Sequence, residues 1–184
     1  MTAAPTPTTT PTPTRSRLGW ALLSWTRIAL GFYFLWAFLD KLFGLGFGVC
    51  RQEDDSIEVM CERAWLSGGH VTEGYLASAT GPMAEFYQSL GEQRWTDWIF
   101  MIGLAGIGLA LMLGIGTKVA ALTAPIMLLM MYTSHLWPTT NPFLDDHIIM
   151  ALTIPAVALV ELERQSIGLG SWWRRLVGER SWLV

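Results

Sequence analysis

Charge is scarce in this 184-residue chain. Only 15% of its residues are Asp, Glu, Lys or Arg, against roughly 25% in an average soluble protein. A soluble globule of this size would lack the charge to cover its surface. Bases are scarcer than acids, 12 against 15 for a net charge of −3, so nucleic acid, which needs a basic surface, is excluded as a partner. There is no G-x-x-x-x-G-K-[ST], no H-E-x-x-H and no paired C-x-x-C, which leaves phosphate-loop chemistry without its motif and predicts no metal site. Apolar residues are abundant instead: 52% of the chain is hydrophobic and ten residues are Trp. The composition predicts an integral membrane protein.

Residues 1–14 (MTAAPTPTTTPTPT) alternate Pro and Thr and can neither form a helix nor bury a core, so they read as a disordered tail. The apolar stretch behind it starts too late and runs too long for a cleaved signal peptide. Four apolar segments follow. Trp20–Leu39 has one charge, Arg27, in 20 residues; Trp98–Gly116 has none in 19; Val119–Trp137 has only His135 ionisable. Ile148–Val160 is shorter, but Asn141-Pro142 reads as an N-cap followed by Pro at the first helical position. A helix from Pro142 to Leu162 would be about 31 Å long, enough for a hydrocarbon core of about 30 Å. The expectation is therefore all-α: a four-helix integral membrane bundle over 15–176, with spans at about 20–42, 98–116, 119–137 and 142–162 and a long extracytoplasmic loop between helices 1 and 2. Residues 177–184 form a tail at the membrane surface.

Charge sets the expected orientation. Both termini would share a side with the Gly116-Thr117-Lys118 turn. That side holds seven bases (Arg15, Arg17, Lys118, Arg164, Arg174, Arg175, Arg180) against three acids, and the other holds four bases against twelve acids. The positive-inside rule then predicts a multi-pass protein of the cytoplasmic membrane with both termini in the cytoplasm. Ser171–Val184 interleaves Arg with Trp and Leu, as expected of a helix resting on the inner leaflet. In the outer loop, Met83, Phe86, Tyr87 and Leu90 recur at helical spacing and predict an amphipathic helix.

Few residues offer chemistry. Cys50 and Cys61 both fall in the outer loop, where a disulfide persists; free thiols and a redox pair are the alternatives, and no C-x-x-C spacing supports the last. Arg27, inside the first span, is costly unless it snorkels, pairs with Glu161 at similar depth on the fourth span, or binds an anionic substrate or headgroup. At the outer mouth, Asp40-Lys41 ends the first span, His135 ends the third, and Asp145-Asp146-His147 opens the fourth. Interfacial snorkelling and helix-dipole stabilisation account for each separately. Together they form a cluster able to handle protons, with Asp40, Lys41, Asp146 and His147 as candidate catalytic groups and Arg27, His135 and Asp145 as candidate substrate-binding groups. Gly103, Gly106 and Gly108 read as points of close helix approach.

The run RIALGFYFLWAFLDKLFGLGFG (27–48) resembles the opening of DoxX-like membrane proteins, with their Arg-x-x-x-Gly…Asp-Lys pattern. AWLSGG (64–69), GPMAEFYQSL (81–90), WIFMIGLAGIGLALMLGIGTKVAA (98–121), NPFLDDHIIMAL (141–152) and IGLGSWW (167–173) are similar to successive blocks of that family. The segment Val49–Arg63, with both cysteines, reads as an insertion. The resemblance implies a four-helix membrane bundle and marks Arg27, Asp40, Lys41, Asp145, Asp146 and His147. The related DoxD-type proteins are the membrane subunit of a thiosulfate:quinone oxidoreductase, so the resemblance implies a redox-linked subunit that meets membrane quinone and a protein partner. No haem, flavin or iron–sulfur signature is present, so no covalently bound cofactor is expected. The alternative is a non-catalytic membrane partner that docks or stabilises a respiratory or redox complex.

Overall fold

The computed structural model describes residues 14–52, 54–139, 141–165, 167–178, 182 and 183. Most of the Pro/Thr tail (1–13) and of the last turn (179–181 and 184) lies outside them. The described residues are all-helical, with two isolated β-bridges and no strand. Among them are seven α-helices: α1 (Thr14–Phe43), α2 (Glu73–Ala77), α3 (Ala84–Gly91), α4 (Arg94–Leu113), α5 (Thr117–Ser134), α6 (Asp146–Glu161) and α7 (Gly170–Val177). The four long ones close on one another: α1 packs on α4 and α6, and α5 packs on α4 and α6. Phe34, Met101, Leu104, Leu111, Ala124, Leu128, Ile154 and Ala158 fill the space between them.

Small residues set the tightest contact. A Cβ on Gly31 of α1 would stand 2.7 Å from the backbone N of Met112, and one on Gly108 of α4 would stand 2.7 Å from that of Leu35. The backbones of α1 and α4 therefore touch, as expected of small residues at helix contacts. Of the three glycines expected at close approaches, only Gly108 is at one. Gly103 faces the flexible end of Met127, and Gly106 has open space around it.

Local chemistry sets the helix ends. Gly114 takes φ 72° and its N–H bonds the Ala110 carbonyl at 2.9 Å, a left-handed cap that stops α4. The fourth long helix corrects the expected start at Pro142. Its N-cap is Asp145, whose carboxylate accepts the Ile148 N–H at 3.1 Å. Asn141 instead caps its own turn, accepting from the N–H groups of Phe143 (3.0 Å) and Leu144 (3.2 Å). An Asp three residues ahead of an apolar run is the stronger N-cap because its charge also favours the helix N-terminus. With 16 residues, α6 spans about 24 Å rather than the expected 31 Å. It continues through Pro155.

Two helices, α1 over Arg17–Phe43 and α4, are long and apolar enough to cross a membrane. All four long helices also point apolar side chains outward. Ile102 on α4, Leu122 on α5 and Leu152 on α6 are 64%, 66% and 67% exposed, and Leu22, Trp25 and Phe32 line the outside of α1. An exterior this apolar marks a surface that meets something other than water.

The segment between α1 and α4 covers one end of these helices. It holds the expected Cys50–Cys61 disulfide, a 3-10 turn at Trp65–Ser67, α2, and α3 where the amphipathic pattern placed a helix. Tyr87 of α3 is buried, and its hydroxyl lies 2.5 Å from Thr133 Oγ1 on α5. At the opposite end, the Leu169 N–H bonds the Leu113 carbonyl at 2.8 Å, which sets α7 against the end of α4.

Candidate functional site

Arg27 settles into one of its three expected arrangements. Its side chain is wholly buried and its Nε donates to Glu161 Oε2. Nη1 donates to the carbonyls of Leu111 and Met112, and Nη2 to that of Ile167 at 2.5 Å. Leu111 and Met112 lie in the last turn of α4, where carbonyls lack intrahelical partners, so the guanidinium also caps that helix. Ser24 donates to Glu161 Oε1, so both carboxylate oxygens are bonded. The arrangement joins α1, α4, α6 and the approach to α7.

Asp40 is buried near the end of α1 and is held by the glycine-rich run behind it. The N–H groups of Phe47 and Gly48 donate to its two carboxylate oxygens at 2.9 and 2.6 Å. Gly44 and Gly46 take φ 63° and 89°, which lets the chain curl back onto the carboxylate. The neighbouring Lys41 ammonium lies 5.9 Å from the centre of the Phe100 ring on α4, a cation–π contact. Both residues thus help close the end of α1.

The remaining expected residues gather where α5 ends and α6 begins. His147 Nδ1 lies 2.6 Å from Asp145 Oδ2. His135 Nδ1 lies 2.9 Å from Ser134 Oγ, and its Nε2 lies 3.3 Å from Ser78 Oγ. The His135 ring centre is 4.5 Å from that of Tyr75 in α2, whose hydroxyl donates to the Met131 carbonyl at 3.3 Å. Burial, reinforced by the nearby His147, holds the His135 pKa below the usual imidazole value of 6.5. Burial also raises the Tyr75 phenol, with the Asp145 charge adding to it and a hydrogen bond from Ser134 opposing. At Asp145 burial pushes the carboxyl up, but hydrogen bonds from His147 and the Ile148 N–H outweigh it and the pKa falls below 3.8. The structure thus pairs Tyr75 with His135 and Asp145 with His147. Asp146, the first residue of α6, is exposed.

Sequence reasoning missed three contributors. Tyr75 and Ser78 enter from α2 and its end, which carry no signal linking them to α5. The third is a pair: His70 Nδ1 lies 2.7 Å from Asp97 Oδ2, with the ring turned off hydrogen-bond alignment. Asp97 Oδ1 accepts the Thr72 N–H at 2.9 Å and the Thr72 hydroxyl at 2.8 Å. An acid in the first turn of α4, one residue ahead of an uncharged run, was its legible signal. Beside it, Trp65, Gly68, Gly69, Arg94, Asp97 and Trp98 line a cleft of about 340 Å³. Among the described residues no group of three His, Cys, Asp or Glu is placed to hold a metal ion.

The Tyr75–His135–Asp145–His147 group is a set of proton-holding side chains at the edge of an apolar helical body. Imidazole and phenol groups of this kind are the side chains a protein uses to pass protons. Comparison of the chain with known protein families, with curated proteins and with solved structures finds no match.

Proposed function

We propose that the chain is a DoxX-like multi-pass protein of the cytoplasmic membrane, with α1, α4, α5 and α6 as its four spans. The apolar exterior of all four helices supports this, as does the sequence resemblance over residues 18–176. The excess of Arg and Lys at the α7 end puts both termini in the cytoplasm and the segment from 44 to 93 outside. Within that frame the protein acts as a redox-linked subunit of the thiosulfate:quinone oxidoreductase type. A reduced sulfur compound gives up electrons at a partner subunit, and membrane quinone takes up two electrons and two protons to become quinol.

The observation that carries this reading is the Tyr75–His135–Asp145–His147 group at the outer end of the helices. Quinol formation needs protons delivered at the edge of the hydrocarbon layer, and two imidazoles and a phenol at that level suit the task. His147 is held by Asp145 at the start of α6, and His135 stands against Tyr75 at the end of α5.

The test is the quinone content of the protein purified in mild detergent, by solvent extraction and mass spectrometry. Near-stoichiometric quinone that falls on changing His147→Gln supports the redox subunit. Quinone no higher than in an unrelated four-span control sinks it. Arg27 and Asp40 favour the second reading, a non-catalytic partner that holds a respiratory complex together. Both are consumed by bonds that close the fold, which leaves two positions marked by the resemblance with structural work. Under that reading quinone is absent and a stable partner protein accompanies the chain.

A further inference from the structure

The short helix α7 is pinned at the end opposite the Tyr75–His135 group, yet half of it faces outward. Its inner side is tied down by the Arg174 guanidinium, which donates to the Leu162 carbonyl at 2.8 Å, while the Trp173 indole N–H donates at 2.7 Å to the carbonyl of Leu183, in the chain that follows α7. Trp173 and Val177 are half-buried on that side. Trp172 and Leu176 are 50% and 61% exposed. At four residues' spacing they stand about 40° apart on one face of the helix. Arg175, exposed, lies about 60° to the other side of Trp172. Leu169, immediately before α7, is also exposed.

The charge around this patch has one dominant sign. Among the described residues at this end of the helices, Arg17 at the start of α1, Arg164 after α6 and Arg175 are exposed, and Glu163 is the exposed acid. Glu161 is buried against Arg27 and adds no outward charge. An exposed Trp and Leu flanked by arginines, on a helix that cannot roll because its other face is bonded, is the pattern of an interfacial helix on an anionic lipid surface.

We propose that α7 is an anionic-phospholipid binding element. Trp172 and Leu176 enter the boundary between headgroups and acyl chains, while Arg164 and Arg175, with Arg17, take lipid phosphates. Because Leu169 is bonded to the end of α4 and Arg27 holds the Ile167 carbonyl, the lipid engaged by α7 also steadies the Arg27 end of the helices. This inference rests on the reading of α1, α4, α5 and α6 as membrane spans.

The experiment uses the full chain reconstituted into vesicles of phosphatidylcholine alone or of an equal mixture with phosphatidylglycerol, with amide hydrogen exchange followed over α7. Exchange of α7 is expected to slow in the anionic vesicles and to recover with added salt. The double variant Arg164→Gln/Arg175→Gln should erase roughly 25-fold of lipid affinity, about fivefold for each charge removed, while Arg164→Lys/Arg175→Lys keeps most of it. Equal exchange in the two vesicle types overturns the proposal, as does protection that appears only when another protein co-purifies. The spanning reading is scored separately: a chain stripped from both vesicle types by alkaline washing is not integral, and that result removes both.

Discussion

Arg27 and Glu161 stand 134 residues apart in the chain and form an ion pair with neither side chain exposed. The pair couples the first and last of the long helices, and its remaining bonds tie in the end of α4 and the approach to α7. Removing one partner leaves the other charge buried and unpaired, which costs about 3–5 kcal/mol. Glu161→Gln is therefore expected to lower the thermal midpoint in detergent sharply. The double change Arg27→Met/Glu161→Leu should recover much of the loss, since apolar residues of similar volume often replace a buried pair at little cost. A single variant as stable as the parent would contradict the coupling.

The α1–α4 contact makes a sharper steric prediction. At Gly108 a Cβ would press on the backbone of Leu35, whereas at Gly106 it would meet nothing within 4 Å. Gly108→Ala is expected to destabilise the protein by about 1–3 kcal/mol, the usual cost of overpacking. Gly106→Ala should be neutral or slightly stabilising, because Ala is the better helix former. Thermal unfolding of the two variants side by side checks this, and equal effects would refute it.

Acid should act through His135. Its imidazole is held below 6.5 in the folded protein, so the unfolded chain binds the proton more readily. Stability is then full above pH 6.5 and falls as pH drops from 6.5 towards the folded-state pKa. The groups facing His135 are Tyr75, Ser78, Ser134 and, electrostatically, His147. Asp145, lowered from 3.8, acts only in stronger acid. Thermal midpoints measured across this range should decline on the acid side, and His135→Gln should flatten the slope. A midpoint that rises as pH falls through 6.5 would show the sign to be wrong.

The disulfide should have a local effect. Cys50 and Cys61 close an 11-residue separation, for which loop-closure entropy gives a stabilisation of about 3 kcal/mol. That energy acts on a segment whose main tie to the long helices is the Met60 N–H bonded to the Phe43 carbonyl at 2.9 Å. Cys50→Ser/Cys61→Ser is expected to open the exposed acidic stretch near Asp54–Glu58 to proteases while leaving the helical circular dichroism unchanged. Loss of helix signal would mean the loop carries more of the fold than these contacts imply.

How much of this was legible beforehand depends on the range of each interaction. Hydropathy and helical periodicity are local, so the all-helical character, α1, α4 and the amphipathic α3 could be read from neighbours a few residues apart. The disulfide could be anticipated as one of three states because the chain has only two cysteines. The start of α6 was misplaced because Asn141 and Asp145 both offer a capping oxygen, and only the folded backbone shows which one meets the first helical N–H.

The chain by itself determined that these helices must hide little charge and present apolar faces outward, since that follows from composition and spacing alone. It also made Arg27 a problem that some arrangement had to solve. Tertiary structure decided the solution: Leu111 and Met112 at the end of α4, and Glu161 and Ile167 at and beyond the end of α6, meet Arg27 from far along the chain, and Tyr75 meets His135 at the end of α5. No local pattern encodes such meetings, because they depend on the angles at which whole helices pack.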